Sequence, residues 1–138
     1  MPTSLIQLKK LWTVGPLTVL AAVVGVLIVR AIVMMILTPP FAPGLELIML
    51  PIVLTVILCT AAVVVFALVA RFAKNPVRTY IIISSVFLVI SFLPDIAAVS
   101  APMPGAGWLY SITLMIMHVV AGFITVYMLI KLTTAESK

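Results

Sequence analysis

The segment Leu27-Ile28-Val29-Arg30-Ala31-Ile32-Val33 sets one guanidinium inside an apolar run that reaches from Leu11 to Leu37. At about 1.5 Å per residue, a helix of that length spans the ~30 Å hydrocarbon core of a bilayer. Arginine keeps its proton in proteins, and at a bilayer centre it costs about 2.5–3.5 kcal/mol on insertion scales. The segment therefore predicts a membrane span, and it makes Arg30 a candidate functional residue whose charge the rest of the chain must answer.

Composition points the same way. The 138 residues are 65% hydrophobic and 8% charged, with a mean hydropathy of +1.44. A soluble domain of this size needs several-fold more charge for its surface. The net charge of +5 would ordinarily point to an acidic partner. Here Lys9, Lys10, Arg71, Lys74, Arg78, Lys131 and Lys138 all lie outside the apolar runs. They read as topology signals, and no nucleic-acid partner is expected. Cys59 is the single cysteine and falls within an apolar run. An intramolecular disulfide and a Cys-x-x-Cys redox pair are thus excluded, and Cys59 reads as a small packing residue.

Outward from Arg30, the first span is predicted over 11–38, with Gly15 and Pro16 bending its first turns and Trp12 anchoring it at the interface. The run is too long for a cleavable signal and stays as a span. Pro39-Pro40-Phe41-Ala42-Pro43-Gly44 stops that helix. Glu46 then falls in the first turn of the second, where the helix dipole favours an anion. The second span covers 45–70, with Pro51 tilting its entry. Asn75 and Pro76 supply an N-cap and a first-turn proline for a third span over 77–100. Pro94 leaves the Ile90 carbonyl of that span without its usual donor. After the Pro- and Gly-rich segment 101–107, Trp108 and Tyr110 open a fourth span over 108–130.

The expected fold is an all-α membrane protein: one domain, 1–138, of four transmembrane helices in an up-down bundle. Every basic residue outside the spans falls on the side that holds both termini and the middle loop. The positive-inside rule then places both termini in the cytoplasm.

The polar residues inside the spans define the candidate site. Counting along helices puts Arg30 about 12 Å below Thr38, Asp95 about 7 Å below Ser100 and His118 about 15 Å below Trp108. Arg30 and Asp95 then share the outer half of the membrane, His118 lies near the midplane, and Glu46 sits at the outer surface. An arginine side chain snorkels several ångströms, which allows an ion pair from Arg30 to Asp95 or Glu46. Ser111, His118, Gly122 and Thr125 form one stripe of the fourth helix. Ser84, Ser91 and Asp95 form one of the third, and Thr55 and Cys59 share a face of the second. Hydroxyl and small residues on such stripes are most simply packing seams. Val23, Val26, Leu27, Val33 and Met34 around Arg30 offer no side-chain acceptor, so its partner must be another helix, a lipid phosphate or a ligand. The set carried forward is Arg30, Asp95, His118, Glu46, Ser91 and Ser111.

Four short motifs, taken in order, give the chain a family resemblance: Val29-Arg30-Ala31, Asn75-Pro76-Val77-Arg78, Ser91-Phe92-Leu93-Pro94-Asp95 and Met117-His118-Val119-Val120-Ala121. Over nearly its whole length the chain resembles small four-helix bacterial integral membrane proteins grouped only as a domain of unknown function. The resemblance implies the four-helix fold and a bacterial inner membrane, and no activity.

No catalytic motif is complete, and no catalytic residue, metal or cofactor is assigned. The leading expectation is a membrane binding or accessory protein with a polar pocket in the outer half of the bilayer. Arg30 would anchor a lipid or quinone-like amphiphile there, with Asp95 and His118 beside it. The alternatives are a structural subunit of a larger membrane complex or homo-oligomer, and a proton-coupled transporter or membrane enzyme. Expected partners are membrane lipids, with a protein partner and a small amphiphile as candidates.

Overall fold

The computed structural model describes residues 6–36, 49–100, 102 and 107–134. Four long helices run through them: α1 Leu11–Ile36, α2 Met49–Phe72, α3 Pro76–Ala97 and α4 Trp108–Thr133. All four are long and apolar enough to cross a membrane. Short 3-10 turns precede α1 (Leu8–Lys10) and follow α3 (Ala98–Ser100). The expected Glu46 cap and the stop at 39–44 lie outside the described residues.

The helix ends differ from the sequence expectation by a few residues, for local reasons. α2 continues to Phe72, with the Arg71 guanidinium 5.7 Å from the Phe72 ring centroid. α4 continues to Thr133. The Thr133 and Thr134 hydroxyls donate to the Leu129 and Ile130 carbonyls, which closes the final turn where water would otherwise be needed. Asn75 occupies the N-cap position of α3, but its side chain makes no cap hydrogen bond. Its carbonyl accepts the Thr79 N–H at 3.0 Å, and Pro76 supplies the preset first-turn φ. α3 passes through Pro94 and tightens into the 3-10 turn only after Ala97. Gly107, at φ 154°, holds a conformation that suits glycine, and its carbonyl receives the Ser111 N–H at 3.1 Å at the start of α4.

The helices alternate in direction. The Gln7 N–H donates to the Thr133 carbonyl at 2.9 Å, and Ile6 forms an isolated antiparallel bridge with Thr134. The start of α1 and the end of α4 are therefore side by side. At this same end, a buried cluster takes one residue from each helix: Val14, Phe66, Tyr80 and Leu129. Two of these lie near helix starts and two near helix ends, as an up-down bundle requires. Phe66 and Tyr80 meet edge to face at 4.7 Å and 72°, the arrangement that ring quadrupoles favour. The Tyr80 hydroxyl reaches the Ala62 carbonyl at 3.4 Å.

Lipid chains are as apolar as leucine, so burial of apolar surface does little to hold one span against another; close packing must do it. α1 packs most extensively on α4, then on α2. Gly25 permits the closer seam: a Cβ there would stand 2.6 Å from Ile124 Cδ1 and 3.2 Å from Val120 Cγ1. Ala22, one turn earlier, is fully buried. Farther from the termini, the second buried cluster joins, among the described residues, α1 and α4, through Val26 and Met117 with Val29, Val33 and Leu114 around them.

Most hydroxyls are used within their own helix. Thr113 donates to Leu109 O at 2.9 Å, Thr125 to Ala121 O at 2.7 Å and Ser91 to Leu88 O at 2.7 Å. Thr18 differs: it is fully buried and its hydroxyl has no partner among the described residues. An unpaired buried hydroxyl costs about 1–3 kcal/mol, and a methyl of the same shape removes that cost. Thr18→Val is therefore expected to hold or raise the thermal unfolding midpoint in mild detergent, by up to the equivalent of about 1 kcal/mol. A clear drop would mean that the hydroxyl has a partner.

Candidate functional site: a histidine–carboxylate pair beside an apolar cavity

α3 and α4 run antiparallel, which brings Asp95 from the C-terminal end of one against His118 from the middle of the other. Asp95 is buried, and its Oδ2 lies 3.0 Å from His118 Nδ1. The same nitrogen lies 2.9 Å from the Leu114 carbonyl, one turn earlier on α4. A carbonyl only accepts, so Nδ1 must carry the proton. One N–H cannot point at both neighbours. It is directed at Leu114, and Asp95 Oδ2 keeps a close electrostatic contact without an aligned hydrogen bond. With Nδ1 engaged, Nε2 is the ring atom left for any further partner. His118 retains 29% side-chain exposure.

That exposure belongs to a cavity of about 250 Å³ between α2, α3 and α4. Its walls are mostly leucine, isoleucine, valine, alanine and phenylalanine, with polar groups from Thr55, Cys59, Ser84, Ser91, His118 and Thr125. The lining of α3 runs from Tyr80 to Ser91, about 16 Å along the helix, so the space is elongated. Cys59 and Thr125 close one side. Thr125 already donates its proton to Ala121, so across the 3.4 Å contact the Cys59 thiol is the donor. Among the described residues, His118 is the sole ionisable group of Asp, Glu, Lys, Arg or His type in the lining.

The structure therefore divides the candidate set. Asp95 and His118 are brought together, and His118 and Ser91 line the cavity. Arg30 is half-buried on α1, a helix that contributes only Val26 to the cavity wall. Ser111 is fully buried two turns before His118 on α4, and its hydroxyl has no partner among the described residues. Glu46 lies outside the described residues. Among the described residues, no three His, Cys, Asp or Glu side chains converge in a way that could hold a metal ion. Sequence reasoning missed the Leu114 carbonyl, which decides the histidine tautomer. The signal was its four-residue spacing from His118, the ordinary reach of a side chain bonding back into its own helix.

These features define a multi-pass α-helical membrane protein with a buried polar pair between its last two spans. A family model described as a family of unknown function (DUF6069) matches residues 6–135, and the chain belongs to that family. Neither a curated protein nor a solved structure matches it.

Proposed function

We propose that this chain is an integral membrane binding protein that holds a small, uncharged, single-chain amphiphile in the cavity, with the polar end of that amphiphile at His118 and Ser91. The observation that carries this reading is the make-up of the cavity: elongated, apolar along its length, and furnished near one end with an imidazole held in place by Asp95 and Leu114. Few polar groups in an otherwise apolar concavity are the usual composition of a small-molecule site. Among the described residues no carboxylate, ammonium or guanidinium lines it, so an anionic head group would meet no counter-charge from them. An alcohol would need only the lone pair that His118 Nε2 or the Ser91 oxygen supplies, because the Nδ1 proton goes to Leu114 and the Ser91 proton to Leu88. Arg30 in this reading serves helix register or contacts lipid head groups outside the cavity. The end bearing Lys9, Lys10, Arg71, Lys74, Arg78 and Lys131 faces the cytoplasm of a bacterial inner membrane.

A ligand that binds only the folded state raises its stability with concentration, by about 2.7 kcal/mol at a hundred times Kd. For protein depleted of lipid in mild detergent at pH 8, dodecanol should therefore raise the unfolding midpoint progressively. Dodecanoate at the same mole fraction should not. Equal shifts from the two compounds, or none from dodecanol, would refute a site for uncharged amphiphiles.

A further inference from the structure

The cavity has a mouth, and its position says where a ligand comes from. Several residues both line the cavity and lie on the outer surface of the bundle. On α2 these are Leu54, Leu58 and Ala61, and on α3 they are Ile83 and Phe87. Leu54 is 49% exposed and Phe87 57%, values of the lipid-facing surface and not of a core. The opposite wall is buried: Thr55, Cys59 and Thr125 are nine-tenths or more covered. The space thus runs inward from an opening between α2 and α3 to a closed side at α4.

Leu58 and Ala61 on α2 and Ile83 and Phe87 on α3 sit about two turns or more from either end of the spans Pro51–Phe72 and Pro76–Ser100, and Leu54 extends the opening to within a turn of the start of α2's span. The inner end is closed by the four-helix cluster of Val14, Phe66, Tyr80 and Leu129. The tight seams of the bundle are those made by α1; α2 and α3 are its least closely joined neighbouring pair. What stands at this opening in a membrane is an acyl chain.

The geometry points to a lateral portal: the α2–α3 seam admits an apolar chain directly from the bilayer, and the site is loaded from lipid and not from water. This rests on the binding reading above and narrows it to ligands already dissolved in the membrane, whose chain follows the α2–α3 opening while the polar end meets His118. Charged, water-delivered ligands are outside its scope.

Cys59 is a built-in reporter of access. It is the only cysteine in the chain, it lines the cavity, and its thiol touches Thr125 on the far wall. The test uses the full chain in phospholipid nanodiscs and two mercurials that form the same thiol–mercury bond with release of the thiol proton. Phenylmercuric acetate dissolves in lipid, whereas p-chloromercuribenzenesulfonate is confined to water. Labelling is read as added intact mass. The portal predicts that phenylmercury modifies Cys59 at least tenfold faster than the sulfonate. It also predicts that Ala61→Trp, at the mouth, slows phenylmercury at least tenfold with the unfolding midpoint unchanged. Ile83→Trp on the facing helix should do the same and guards against a folding defect in the first variant. Equal rates for the two reagents would establish a water route and overturn the portal, as would labelling by neither, or labelling that ignores both tryptophans. Labelling needs no bound amphiphile. A bound amphiphile without lipid-side labelling would overturn the portal alone, and lipid-side labelling without dodecanol stabilisation would uphold the portal and remove the binding reading.

Discussion

Replacing His118 by leucine should destabilise the bundle by about 3 kcal/mol, whereas replacing its partner Asp95 by leucine should cost little. The asymmetry follows from the contacts. Asp95 is buried, and its partner among the described residues is His118; without the imidazole, a carboxyl group within the membrane span loses that partner. Removing one member of a buried pair in this way is strongly destabilising, while replacing both by apolar groups is often neutral. His118, by contrast, keeps its hydrogen bond to Leu114 when Asp95 is gone. The Asp95→Leu/His118→Leu double variant should therefore recover most of what His118→Leu loses, a coupling that only a double-mutant cycle measures. Thermal unfolding of the four proteins in one detergent provides it. Equal losses in the two single variants that simply add in the double would show that the 3.0 Å contact does not matter to the fold.

Why this pair was hard to foresee lies in what a sequence encodes about neighbouring helices. Counting residues gives depth along one helix to within a turn, and it set Asp95 in the outer half and His118 near the midplane. It does not give the offset between two helices joined by a loop. α4 begins farther from the termini than α3 ends, and that shift brings the two side chains level enough to meet at 3.0 Å. The stripes on single helices were more legible. Ser111 and Thr125 on α4 are buried with His118 between them, and Thr55 and Cys59 are buried together on α2. Helical periodicity alone fixes which residues share a face.

The four spans were legible because the signal is large: each is a long run with almost no charge, and the basic residues gather at one end. The cavity was not. On a soluble helix, polar residues mark the outer face and apolar ones the inner. In lipid, a residue facing acyl chains and a residue facing a ligand chain obey the same chemistry, so Leu54, Leu58, Ile83 and Phe87 look like any lipid-facing positions. Only the spacing of α2, α3 and α4 in three dimensions separates them. The Gly25 contact with Ile124 shows the converse, a close seam that a single glycine makes possible and that no hydropathy pattern records.

Gly122 offers the sharpest test of occupancy. It lines the cavity, and a Cβ built there meets only Leu88 Cδ1, at an ordinary 3.7 Å. Gly122→Phe can therefore start its side chain without a clash and spend the remaining volume on the space the amphiphile would use. It touches neither Asp95 nor the inner-end cluster, so the fold should survive, and removal of a helix-interior glycine favours the helix by up to about 1 kcal/mol. The deciding measurement is native mass spectrometry of the protein released from its own membrane in mild detergent, wild type beside Gly122→Phe. The account predicts a stoichiometric small adduct on the wild type that withstands delipidation and is absent from the variant, which otherwise runs as the same folded species. A wild type with no adduct, or an adduct equally abundant on both proteins, would contradict it.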